Sequence, residues 1–167
     1  MDGRTLIAES LTMSYEWCRE PAEDLADAPM SRASPERGVH AMWVVGHLTS
    51  ARAGLLSMAE GGPNPAAAWD HLFPGGTQPS DDPAIYPAYD QLLSVWADAH
   101  ERSLKFVASL SEADLDRRPD AVPAPLSEMD TFQSVGRILS FIAGHEMSHR
   151  GQLAEIRRSL GRPILGM

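Results

Sequence analysis

The chain has 167 residues, 43 % of them hydrophobic and 22 % charged, the composition of a globular domain long enough to bury a substantial core. Its 23 acidic against 14 basic residues give a net charge of −9, which argues against nucleic acid as a partner because phosphate contacts need clustered Lys and Arg. Cys18 is the only cysteine, so an internal disulfide is excluded, and no run of about 18 apolar residues points to a membrane span. The length fits one domain over residues 1–167, and the absence of a signal-type segment at the start makes the cytoplasm the expected location.

The first helix is expected over residues 4–19. Leu6, Ile7, Met13 and Trp17 form its apolar stripe, and Pro21 helps end it. A loop with Pro29, Ser31, Ser34 and Pro35 follows. The second helix spans residues 39–60 and stops at Gly61-Gly62-Pro63, with His40, Trp43, Val44, His47, Ala51, Leu55 and Met58 on its buried face. Residues 61–86 read as a long connection, interrupted by a short helical turn over 66–72, that crosses the fold or covers a site. The third helix runs over 87–110 and buries Leu92, Val95, Trp96, Ala99, Phe106, Val107 and Leu110. A short helix over 111–116 is capped by Ser111 with Asp114. After a Pro-rich stretch, the fourth long helix is expected over 131–160. Asp130 and Gln133 cap its start, and Gly161 and Pro163 close it. No alternating apolar pattern suggests a sheet, so four long helices imply an all-α helix bundle.

The chemistry concentrates in His145-Glu146-Met147-Ser148-His149. Two imidazoles four residues apart share one helix face, about 6 Å apart along its axis, close enough to ligate one divalent ion. On a helical wheel they fall inside the stripe of Val135, Ile138, Ile142, Ile156 and Leu160, so both are expected to face the interior, with Glu146 about 60° off the stripe's centre at the edge of the site. His47 lies in the stripe of the second helix. Gly46 and Gly144 each precede a candidate ligand and are expected to let helices approach closely. Three neutral imidazoles leave a fourth position on a metal for water or substrate. A hydrogen-bonded core role for each histidine is the competing reading. His40 lies about 10 Å from His47 along the axis, too far to share its ion. His100 and His71 are weaker candidates, one beside the third helix's stripe and one in the long connection.

The letters H-E-x-x-H also match zinc proteases. Only 18 residues follow His149, none of them histidine, and no substrate-aligning strand is expected, so that reading is rejected.

Three passages resemble the DinB-like (YfiT-like) metal-binding superfamily: Trp43-Val44-Val45-Gly46-His47-Leu48; His145-Glu146-Met147-Ser148-His149-Arg150-Gly151-Gln152-Leu153 with Leu160-Gly161-Arg162-Pro163; and the looser tract from Trp69 to Phe73 through the third helix. The resemblance implies an up-down-down-up four-helix bundle whose metal ligands are His47, His145 and His149. It also implies a zinc or nickel ion and frequent homodimers. Characterised relatives include thiol-dependent transferases and isomerases, and metal-dependent hydrolases. The expected function is therefore a metal-dependent thiol S-transferase acting on small electrophiles with a low-molecular-weight thiol. The alternatives are a hydrolase using metal-bound hydroxide and a non-catalytic metal- or ligand-binding stress protein. Glu146 is expected as a base or as a residue orienting a ligand, and Arg150 and Arg157 as contacts to a thiol cofactor. The expected partner is a small-molecule substrate, with neither nucleic acid nor membrane.

Overall fold

The computed structural model describes residues 1–34, 37–120 and 122–162, and of Arg37 only the backbone; Pro35 and Pro163 lie outside the described residues. Its long helices are α1 (Gly3–Asp24), α2 (Ala41–Glu60), α3 (Tyr89–Ser109) and α5 (Val135–Ser159), with the short α4 (Glu112–Leu115) after α3. None of them is long and apolar enough to cross a membrane.

Cross-bundle contacts fix the directions. Ser14 meets Glu146 and Asp24 meets Arg157, so α1 and α5 run parallel. Tyr89 bonds Ala22 while Trp96 packs on Tyr15, so α3 opposes α1. Thr49 bonds the Leu92 carbonyl and Arg52 bonds Ser103, so α2 runs with α3. The result is an up-down-down-up bundle in which α5 lies between α1 and α2. Two parallel neighbours, α2 and α3, require the long crossover the sequence carries between them.

Local chemistry sets the helix ends. The Asp2 carboxylate caps α1 through the Thr5 amide at 2.8 Å, Gly61 ends α2 at φ 76°, and the Ser111–Asp114 capping box starts α4. Pro21 does not end α1: it is buried inside the last turn, where Ala22 and Leu25 pack fully into the core. Only one ladder bond is lost to its missing N–H, and the burial of that turn outweighs it. The expected start of the last long helix is also corrected. Residues 126–132 form two short 3-10 turns, and Ser134, not Asp130, caps α5 through the Arg137 amide.

Two further corrections matter for the core. The buried stripe of α1 is Ile7, Leu11, Ser14, Tyr15, Cys18 and Ala22, whereas Leu6, Met13 and Trp17 stand largely exposed. A small antiparallel hairpin, β1 (Arg32–Ser34) and β2 (Arg37–His40), precedes α2, pairing Arg32 with His40 and Ser34 with Arg37 around an irregularity. Strands this short carry no alternation to detect. His40 ends β2 and caps α2. Its Nδ1 accepts the Trp43 amide at 3.0 Å, and its Nε2 donates to the Ser80 carbonyl at 2.9 Å, tying down the crossover.

Candidate metal centre

His47 projects from the second turn of α2, and His145 and His149 from the middle of α5, so the three rings meet in the seam between these helices. His145 Nε2 lies 3.0 Å from His47 Nε2 and 3.3 Å from His149 Nε2. Among the described residues this trio forms the one group of three or more His, Cys, Asp or Glu side chains whose ligand atoms converge, all within 4.8 Å. Three nitrogens about 2.1 Å from one tetrahedral ion stand roughly 3.4 Å apart, close to the spacing observed.

The second nitrogen of two rings explains why the first is free. His47 Nδ1 donates to the Phe73 carbonyl at 2.7 Å, and His149 Nδ1 donates to Gln152 Oε1 at 2.6 Å. Both rings therefore present a bare Nε2 lone pair when neutral. Burial lowers the pKa of His47, opposed by the Phe73 carbonyl and reinforced by His149. Burial, with His149 and His47 beside it, pushes His145 down to about 4. Burial thus keeps His47 and His145 uncharged near neutral pH, and ring lone pairs crowd one another in the seam. A cation resolves that repulsion, so the donor set is compatible with a divalent metal, and the bonds at Nδ1 are the usual outer-shell support for such ligands.

The crossover completes the support. Phe73 is buried, and its ring covers Gly46: a Cβ there would come within 2.1 Å of Phe73 Cε1. Gly46 thus does provide a close approach, to the crossover and not to another helix, whereas a Cβ on Gly144 would meet nothing within 4 Å. Trp43 stacks on the His47 ring at 4.8 Å with an interplanar angle of 5°.

The structure places Glu146 differently from the wheel. The deep face of α5 is Val135, Ile142, Glu146 and Leu153, and His145 and His149 are half-buried on the flank turned toward α2. Glu146 is 1 % exposed and its carboxylate accepts four bonds. Oε1 takes Arg52 Nε at 2.7 Å and Trp96 Nε1 at 2.8 Å; Oε2 takes Arg52 Nη2 at 2.8 Å and Ser14 Oγ at 2.7 Å. Arg52 is equally committed. Its remaining N–H groups reach the Leu11 carbonyl at 3.3 Å, Ser103 Oγ at 2.8 Å and His100 Nδ1 at 3.1 Å. His100, stacked on Tyr15 at 4.0 Å, is pushed down to about 4 by burial and then by Arg52. It belongs to this network and not to the triad.

Arg150 and Arg157 are not brought to the triad. They lie on the opposite flank of α5, facing α1. The Arg150 guanidinium sits 5.3 Å over the Trp17 ring, and Arg157 pairs with Asp24 at 2.7 Å. The helix turn that points 145 and 149 at α2 points 150 and 157 at α1. His71 is exposed in the crossover. Sequence reasoning missed Arg52, Phe73 and Gln152. Gln152, three residues after His149, could have been found from helical spacing. Arg52, a charge within an apolar helix, was a visible anomaly.

Bundle and centre together define a mostly helical protein with a three-histidine cluster in the seam of two helices. The DinB superfamily profile matches residues 11–153, and the chain belongs to that superfamily. No curated protein matches it.

Proposed function

We propose that His47, His145 and His149 hold one divalent metal, zinc or nickel, and that the protein is a single-domain, cytoplasmic metal-dependent thiol S-transferase acting on small electrophiles. The convergence of three ring nitrogens, two of them with Nδ1 engaged elsewhere, carries this reading. Such an ion, when bound, stabilises an anionic fourth ligand such as a thiolate. All three ligands are neutral imidazoles, and the nearby Glu146 charge is matched by Arg52, so the site keeps its positive charge for that ligand. The thiol comes from outside. Cys18 is fully buried, and burial followed by the Glu146 charge pushes its thiol up to about 12.

One observation favours a metal-dependent hydrolase as the second reading. Neither Arg150 nor Arg157 turns toward the triad, where a thiol cofactor's carboxylates would need a cation. One experiment separates the readings. Untagged protein is loaded with Ni(II) or Co(II), its metal content is measured, and small thiols are titrated while the near-ultraviolet sulfur-to-metal charge-transfer band is followed. One equivalent of metal, a thiol-dependent band and conjugation of an electrophile support the transferase. Ester or amide cleavage without thiol supports the hydrolase. Metal without either chemistry leaves a binding protein, and a substoichiometric metal content overturns the centre itself. We also propose a homodimer, which light scattering on eluting protein checks: a monomer mass refutes it.

A further inference from the structure

The two helices that supply the ligands are joined by a buried ion pair whose members are closed off from solvent. Arg52 follows His47 by five residues on α2; Glu146 lies between His145 and His149 on α5. The pair is bidentate, with side-chain exposures of 0 % and 1 %. Ser14 from α1 and Trp96 from α3 occupy the carboxylate's remaining acceptor positions, so all four long helices meet at one side chain.

We infer that Arg52 and Glu146 are positioning residues for the metal centre, a clamp that fixes the rotation of α5 against α2 so that His145 and His149 meet His47. The inference rests on the metal reading above and assigns Glu146 no proton transfer. Apolar packing alone is non-directional and leaves a buried helix some freedom to turn. A 20° turn of α5 carries an atom about 6 Å from its axis through roughly 2 Å, a full metal–nitrogen bond length. A carboxylate held by four donors from three other helices does not tolerate that displacement, because each bond has a narrow range of length and angle. The geometry also excludes the base role. Every acceptor position of Glu146 is filled, and its oxygens point to the bundle axis while the ring nitrogens of the triad gather on the flank.

The test uses Co(II) alone as probe and reads its dissociation constant and the intensity and position of its visible d–d bands. Glu146→Gln keeps the shape and sets an amide N–H against Arg52 or Trp96. The Arg52→Met, Glu146→Leu double variant replaces the pair by apolar groups of similar size, a change buried pairs often survive. Both are expected to keep helical circular dichroism and a cooperative melt while binding Co(II) about 10- to 100-fold more weakly, with altered d–d bands. Folded variants with wild-type affinity and bands overturn the clamp, and that result is also what a base role would give. Should both variants unfold, Ser14→Ala and Trp96→Phe each remove one donor; a wild-type spectrum in both overturns the inference. Wild-type protein that takes up no Co(II) brings down the metal reading and the clamp with it, whereas a binding wild type with unaltered variants brings down the clamp alone.

Discussion

Gly46→Ala isolates the part the crossover plays. In an exposed helix the change would gain about 1 kcal/mol of propensity. Here the new methyl falls 2.1 Å from Phe73 Cε1 and 2.2 Å from Cζ, so reaching an ordinary 3.4 Å contact requires the ring to retreat about 1.3 Å. Phe73 is 2 % exposed, packed on Tyr86 and with no open side to move into. Overpacking of this kind costs about 1–3 kcal/mol, leaving a net loss of about 1 kcal/mol, or roughly 2–4 °C in melting temperature for a chain of this size. The retreat also withdraws the Phe73 carbonyl from His47 Nδ1. His47 then loses the bond that fixes its ring, and metal affinity is expected to fall about 10- to 100-fold. Melting curves and a Co(II) titration of the same preparation give both numbers. A raised melting temperature with unchanged Co(II) affinity would refute both the packing argument and the link from crossover to ligand.

His145→Ala or His149→Ala should abolish stoichiometric metal uptake, as should His47→Ala; metal analysis showing one equivalent retained in the last would disprove the two-helix centre. His40→Ala should keep its metal and lose about 1 kcal/mol in urea unfolding through the lost cap of α2. Stability should fall on acidification. His100 titrates near 4 in the fold and near its ordinary 6.5 when unfolded, so its contribution is complete above pH 6.5 and is lost as pH falls from there toward 4. The shift of 6.5 to about 4 bounds that loss at about 3 kcal/mol. His100→Gln, which can still accept from Arg52 without gaining a proton, should flatten the dependence; an unchanged slope counts against the assignment. Native Cys18 should resist thiol-specific reagents until urea unfolds the chain, and rapid labelling of folded protein would show the burial to be wrong.

The helices, most of their ends and the long crossover were legible because propensity, caps and breakers are local in the chain. So was the trio of histidines: i, i+4 spacing is a one-helix property, and His47 stood in an apolar run. The stripe of α1 was misread because its exposed face carries Leu6, Met13 and Trp17 while Ser14 is buried for its bond to Glu146. The same polar centre displaced the wheel of α5: a count of apolar residues cannot place a carboxylate at the middle of the core when its four donors come from three other helices.

Sequence alone thus determined an all-helical bundle and the residue types that could hold a metal. Tertiary structure decided which flank those rings occupy, which of their nitrogens are free, and that Glu146, Arg150 and Arg157 face elsewhere. The physical reason is directionality. Apolar burial depends on area and can be read from a pattern, whereas a hydrogen bond or ion pair exists only once both partners, often a hundred residues apart, have been brought to within about 3 Å.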